Sequence, residues 1–244
     1  MTDGRIAHRI PRRIPNPKSQ IPVLNAIVDA ECAAQAGWTP VDLADAYLRG
    51  GARFLQLRAK TMSSAALLDA ASAIVSRAHR AGAIVIVNDR ADIARLSNAD
   101  GVHVGQDDLP PEDARRVVGD RAMIGVSTHT DAQVARAVEG PVSYVAIGPV
   151  FGTSTKATGF GAIGLDLVRV AANRTAARNL PLLAIGGITI ETAAGVIEAG
   201  ATSVAVISDL LRTGDPEQRV REYLRALASI ARRRSAERLA RHAP

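Results

Sequence analysis

A chain of 244 residues, 47% apolar and 22% charged, has the make-up of a soluble globular protein with enough length for a large buried core. A single cysteine, Cys32, excludes an internal disulfide framework and a cysteine zinc site, and no apolar run is long enough to span a bilayer, so a reducing, cytoplasmic setting without membrane attachment is expected. The net charge of +6 gathers as arginine at the two ends, but with only 3% aromatics and no recognition motif these runs read as solvated ends rather than a grip on nucleic acid.

Residues 1–20 form a basic, Pro-rich leader, in which Pro11, Pro15 and Pro17 argue against an amphipathic helix. From Ile21 onward, short β-like runs alternate with helical stretches. The strands are expected at Val23–Asp29, Arg53–Arg58, Ala83–Asn88, Gly101–Val104, Ala122–Ser127, Ser143–Gly148, Pro181–Ile185 and Ser203–Ile207. They are rich in Val and Ile, as strands buried on both faces are. Helices are expected at about Pro40–Arg49, Ser63–Arg80, Pro111–Val118, Thr130–Val138, Leu165–Ala177, Ile190–Ala199 and Pro216–Arg234. In the second of these, Leu67, Leu68, Ala71, Ile74 and Val75 make an apolar stripe, with Ser63 or Ser64 as the cap. Gly50-Gly51, Gly82, Gly140 and Gly200 fall where helices should end. The βα rhythm predicts one parallel (β/α)8 TIM barrel over 21–232, followed by an Arg-rich tail at 233–244. A doubly wound open sheet is the alternative; no G-x-G-x-x-G follows the first strand to support it.

Barrel chemistry collects at the C-terminal ends of the strands. After strand 2, period-2 spacing puts Gln56, Arg58 and Lys60 on one face, toward the mouth, and Leu55, Leu57 and Ala59 on the other, toward helices. A basic mouth suits an anionic substrate; the competing reading for Arg58 is an interior salt bridge. Strand 3 ends in Asn88-Asp89-Arg90 and strand 4 in Gly105-Gln106-Asp107-Asp108. Carboxylates on neighbouring strand ends make an all-oxygen site suited to Mg²⁺, with helix capping as the equal alternative for Asp89 and Asp108. His103 reads as a packed interior histidine. Strand 5 ends in Ser127-Thr128-His129, and strand 6 runs into Thr153-Ser154-Thr155-Lys156, hydroxyls and a cation of the kind that cradle phosphate. The Gly-rich stretch 157–164 reads as a lid or a passive loop. Gly186-Gly187 after strand 7 and Val206-Ile207-Ser208 at strand 8 occupy the usual phosphate position of such barrels. Only Lys18, Lys60 and Lys156 are lysines among 30 basic residues, and two of the three stand at strand exits.

Taken in order, Gln-Leu-Arg-Ala-Lys at 56–60, Asn-Asp-Arg at 88–90, Asp-Gly-Val-His-Val-Gly-Gln-Asp-Asp at 100–108, Gly-Val-Ser at 125–127, Thr-Ser-Thr-Lys at 153–156, Ile-Gly-Gly-Ile at 185–188 and Val-Ile-Ser at 206–208 resemble the thiamine phosphate synthase family, from about Val23 to Leu211. The resemblance implies a transferase that joins a hydroxymethylpyrimidine diphosphate to a thiazole phosphate and releases pyrophosphate, by way of a pyrimidine cation that the thiazole nitrogen captures. It implies Asp89 and Asp108 as Mg²⁺ ligands. It implies Gln56, Arg58, Lys60, Asn88, Ser127 and Lys156 on the pyrimidine diphosphate, with Arg58, Lys60, Ser127 and Lys156 as the catalytic set. It implies Thr153, Thr155, Gly186, Val206, Ile207 and Ser208 on the thiazole phosphate. Strand 1, Val23-Leu24-Asn25-Ala26-Ile27-Val28-Asp29, departs by lacking the aromatic expected from many relatives. The rival readings are a thiazole tautomerase, for which His129 could shuttle a proton, and a barrel that binds a phosphate ligand without catalysis. The retained Lys60, Asp89, Asp108 and Lys156 weigh against both.

Overall fold

The protein was analysed as a computed structural model that describes residues 21–152 and 161–240, with the backbone alone for Ser229 and 231–240. Eight parallel strands close on themselves in sequence order: β1 (Leu24–Asp29), β2 (Phe54–Arg58), β3 (Ile84–Asn88), β4 (Gly101–Val104), β5 (Met123–Thr128), β6 (Tyr144–Ile147), β7 (Leu182–Ile185) and β8 (Ser203–Val206). The helices are α1 (Ala30–Gln35), α2 (Pro40–Gly50), α3 (Ser64–Arg80), α4 (Ala91–Leu96), α5 (Pro111–Val118), α6 (Asp131–Ala137), α7 (Gly164–Ala177), α8 (Ile190–Glu198) and α9 (Pro216–Ala240). The expected (β/α)8 barrel is therefore the fold. No helix among the described residues is long and apolar enough to cross a membrane.

The structure adds α1 and α4, which the sequence reading left as loop. Each is six residues long, too short to show a helical period, and the N-cap of α4, Arg90, makes no side-chain cap bond. The last helix runs to Ala240, past its expected end at Arg234 and through much of the stretch read as a tail. The caps follow local chemistry. Ser63, rather than Ser64, accepts from Ala66 N–H at the start of α3, and Gly51 closes α2 in the left-handed conformation at φ 102°. Gly140 is not among the left-handed glycines.

Alternation along the strands sorts residues into two cores. Outward residues such as Leu55, Leu57, Val85, Val87, Val102, Val145 and Val204 pack with the helices. Inside the barrel, Ile21, Phe54, Ile86, Tyr144, Ala146 and Leu183 form a separate plug. Phe54 and Tyr144 meet edge to face, their ring centroids 6.0 Å apart. The plug closes the N-terminal end of the barrel and leaves the C-terminal end open for chemistry.

Gly125 makes that plug possible. A Cβ there would stand 2.1 Å from Cζ of Tyr144, so the ring occupies the space that any side chain on β5 would need. Gly125→Ala is expected to destabilise the fold by about 2–3 kcal/mol through overpacking, measured by urea unfolding; an unchanged midpoint would show that the Tyr144 ring moves freely.

Candidate active site

Two cavities open at the C-terminal end of the barrel. The smaller, about 40 Å³, is lined by Asn25, Gln56, Arg58, Asn88 and His103 among others. The larger, about 450 Å³, is lined by His129, Gly148, Gly186, Gly187, Thr189, Ser208, Asp209 and Arg212 among others. They share Ser127, Ala146, Ile185 and Ile207, so the two spaces adjoin along one wall.

The first cavity rests on a polar relay. Gln56, 5% exposed, contacts the Tyr144 hydroxyl, which lies 3.0 Å from Nδ1 of His103, and Nε2 of His103 lies 2.8 Å from the Ser127 hydroxyl. Burial pushes the Tyr144 phenol far above its ordinary range, so it stays protonated and available to the relay. His103 is thus an interior histidine, as expected, held by Tyr144 through Nδ1 while Nε2 orients Ser127. The Ser127 carbonyl accepts from the Gln106 amide at 2.6 Å.

Charged pairs ring the mouth. Arg58 is held by Asp29 at the end of β1, with Glu31 within 3.8 Å. The interior salt bridge considered for Arg58 is therefore present, and Arg58 lines the smaller cavity as well. Asp29 also caps α1 by accepting from Cys32 N–H at 2.9 Å. Glu31 accepts from the backbone of Lys60 at 2.8 Å and of Thr61 at 3.0 Å, clamping the loop that carries Lys60. Lys60 in turn pairs with Asp89.

Asp89 and Asp108 lie within hydrogen-bonding reach of each other. Burial raises the Asp89 carboxyl above its ordinary value, Asp108 adds to the rise, and Lys60 opposes it. Neither carboxylate caps the helix that follows: the N-cap positions belong to Arg90 before α4 and Pro110 before α5, both without a side-chain cap bond. Asp108 instead accepts from Gly105 N–H at 2.7 Å, tightening its own loop. Asp89 takes φ 61°, a left-handed backbone for a non-glycine residue, a strain of the kind that collects at functional sites. Among the described residues no three His, Cys, Asp or Glu side chains gather as a metal centre, so this site contributes two carboxylates.

In the larger cavity, Gly186 and Gly187 have φ of 101° and 61°. Their missing side chains also admit the loop after β6: a Cβ on Gly186 would lie 2.5 Å from Pro149 Cα, and one on Gly187 2.5 Å from the Gly152 carbonyl. The His129 Nδ1–H donates to the Gly148 carbonyl at 2.6 Å, which fixes the orientation of the ring. Asp209 is pinned beneath the cavity by Arg219 at 2.8 Å and by the Tyr223 hydroxyl at 2.6 Å.

The described expectations thus come together at one end of the barrel. Gln56, Arg58, Asn88 and Ser127 face the smaller cavity; Ser127, Gly186, Ile207 and Ser208 face the larger; Lys60, Asp89 and Asp108 cluster beside them. Val206 is buried in the core between barrel and helices and reaches neither cavity by its side chain. Thr153, Thr155, Lys156 and most of the expected lid lie outside the described residues. Sequence reading missed Asp29, Glu31, Asp209 and Arg212. Asp29 ends β1 with Glu31 just beyond it, and Asp209 and Arg212 lie in the segment after β8; those positions were the available signal.

Residues 24–210 match the family model described as thiamine monophosphate synthase. The thiamine-phosphate synthase of Chlorobium luteolum is 40% identical over 203 residues, 83% of this chain and 92% of that protein. That of Koribacter versatilis is 44% identical over 212 residues, 86% of this chain and 98% of that protein. Among solved structures, thiamine phosphate pyrophosphorylase from Pyrococcus furiosus superposes with a TM-score of 0.76 at 24% identity, covering 85% of this chain and 96% of that one.

Cys32 sits beside this machinery but is chemically quiet. Burial and the neighbouring Asp29 carboxylate push its thiol up to about 11. Near neutral pH the thiolate is a minute fraction, so iodoacetamide should modify Cys32 at least about tenfold more slowly than free cysteine. Intact-mass analysis over time checks this, and rapid single alkylation would contradict it.

Proposed function

The chain belongs to the thiamine monophosphate synthase family, and from that premise we propose how its two adjoining cavities divide the work. Its reaction joins an aminopyrimidine carrying a diphosphooxymethyl group to a methylthiazole carrying a phosphooxyethyl arm, giving thiamine phosphate and pyrophosphate. The polar edge of the pyrimidine points into the smaller cavity, and its diphosphate lies across the charged rim. The thiazole phosphate takes the larger cavity. The observation that carries this reading is the wall of Ser127, Ala146, Ile185 and Ile207 common to both spaces, because two substrates that must form one bond have to meet.

In the reaction the bond from the pyrimidine methylene carbon to the diphosphate oxygen breaks, leaving a pyrimidine cation. The thiazole nitrogen lone pair then forms the new carbon–nitrogen bond. Negative charge develops on the departing pyrophosphate, and Arg58, Lys60 and Lys156 are the cations that stabilise it. Ser127, oriented by His103, stands at the junction, where its hydroxyl can hold the leaving group. Gln56 and Asn88 orient the pyrimidine. In the larger cavity the backbone at Gly186, Ile207 and Ser208 receives the thiazole phosphate, the group to which Val206, Thr153 and Thr155 are also assigned. Arg212, on the rim of the same cavity, adds a cation to that end.

The paired carboxylates fit a divalent ion. Their donors are all oxygen, burial and mutual proximity disfavour two uncompensated negative charges, and substrate oxygens and water would complete a hard-cation shell. Asp89 and Asp108 would hold Mg²⁺, which when bound supplies further positive charge to the leaving pyrophosphate.

Both substrates incubated with Mg²⁺ should yield thiamine phosphate and pyrophosphate, and excess chelator should abolish turnover; full turnover in chelator would refute the metal role. Lys60→Arg and Lys156→Arg test the cations. Arginine keeps the charge but changes its shape and hydration, so each variant should lose about a hundredfold in single-turnover rate, with thiazole phosphate affinity nearly unchanged. Wild-type rates in both would show that charge alone matters there.

A further inference from the structure

Asn25 stands in the middle of β1, 1% exposed, where its side chain faces the smaller cavity. Neither its Oδ1 nor its Nδ2 has a hydrogen-bond partner among the described residues. Its opposite number on β8 is Ala205, and Ile27, Leu183, Ile185 and Ile207 line the same space. A primary amide in such a wall forfeits a donor and an acceptor, each costing about as much as a lost hydrogen bond. An apolar residue would pack there without that cost.

The cavity offers a remedy. At about 40 Å³ it has room for two or three waters, at roughly 10–15 Å³ each, and its polar lining supplies the partners that a buried water needs. Gln56, Asn88, His103 and Ser127 share the space with Asn25. The volume is too small for a substituted heterocycle to reach the Asn25 amide unaided.

We propose that Asn25 is a positioning residue for the pyrimidine substrate: its carboxamide holds buried water at the floor of the cavity, and that water carries hydrogen bonds to the polar edge of the bound ring. An aminopyrimidine presents an amino donor beside a ring-nitrogen acceptor. A carboxamide has the complementary pair, the same match by which Asn and Gln read the corresponding edge of adenine. A relaying water preserves both polarities, since it donates and accepts. The proposal rests on the assignment of the smaller cavity to the pyrimidine.

Three measurements test it. A crystal structure of the substrate-free protein should show ordered water within hydrogen-bonding distance of the Asn25 amide; a dry cavity would overturn the proposal. Asn25→Leu should raise KM for the pyrimidine diphosphate about tenfold, the scale of one well-placed hydrogen bond, with kcat and thiazole phosphate KM within about twofold. Its thermal midpoint should stay level or rise, because leucine packs against Ile27, Leu183, Ile185 and Ile207 where the amide had to order buried water. Asn25→Ala, which enlarges the space instead of filling it, should move KM in the same direction and serves if the leucine variant does not fold. The decisive comparison uses a pyrimidine diphosphate lacking the amino group. That analogue should be penalised by the wild type and much less by Asn25→Leu, an interaction that a purely structural role would not produce. Equal penalties in both proteins would overturn the proposal. A rise confined to thiazole phosphate KM would instead show that the two cavities were assigned the wrong way round.

Discussion

The Tyr144 hydroxyl is where the packed interior of this barrel turns into a binding site. Below it lie Phe54 and Ile86, buried apolar side chains of the plug, while Ala146 and Leu183 of the same cluster form part of the cavity wall. At its own level stand Gln56 and His103, and one bond further Ser127. A phenol suits this boundary because its ring belongs to the plug while its oxygen belongs to the relay. The ring fits only because β5 carries Gly125 at that height. Core packing and the orientation of Ser127 are therefore one problem, solved by a glycine and a tyrosine on neighbouring strands.

Above that boundary, electrostatics replaces packing as the organising force. Asp29, Arg58, Glu31, Lys60, Asp89 and Asp108 follow one another around the β1–β4 side of the mouth, each acid near a cation or another acid. Such a rim holds its loops in place before any substrate arrives. Under the proposed assignment it also makes the cations available at modest cost, since an incoming diphosphate would offer Arg58 and Lys60 a replacement for the carboxylates they leave. At the Asp89–Asp108 contact like charges face each other, and there a divalent ion would relieve rather than create strain.

Much of this was legible in the sequence because the fold repeats a simple rule. Buried parallel strands announce themselves as Val- and Ile-rich runs, and period-2 spacing at 55–60 correctly separated Gln56 and Arg58 from Leu55 and Leu57. What escaped notice was either too short or too tertiary. The six-residue helices α1 and α4 have no period to detect. The pairing of Asp29 with Arg58 spans two strands, and the grip of Glu31 on the Lys60 loop spans a helix and a loop. Asp108 looked like a helix cap because it precedes Leu109-Pro110-Pro111, yet Pro110 takes the cap position and frees the carboxylate to serve the loop at Gly105.

The place of lysine in this chain now has a structural reading. Guanidinium groups make the surface pairs: Arg90 with Asp92, Arg116 with Asp113, Arg174 with Asp131, Arg178 with Glu139. The one lysine among the described residues, Lys60, pairs with Asp89 at the rim of the catalytic mouth. A guanidinium forks onto a carboxylate and holds it in a plane, as the two bonds from Arg174 to Asp131 do. An ammonium has no such plane. Its three donors can turn from one oxygen to another as the bonding around it changes. On the proposed role, a group that rests on Asp89 and then follows charge onto a departing pyrophosphate would need that freedom more than a strong ground-state bond, because catalysis grows only from interactions that strengthen on the way to the transition state. The surface guanidinium pairs then have only to stay in place, whereas the proposed role of Lys60 makes its pair with Asp89 one that has to change.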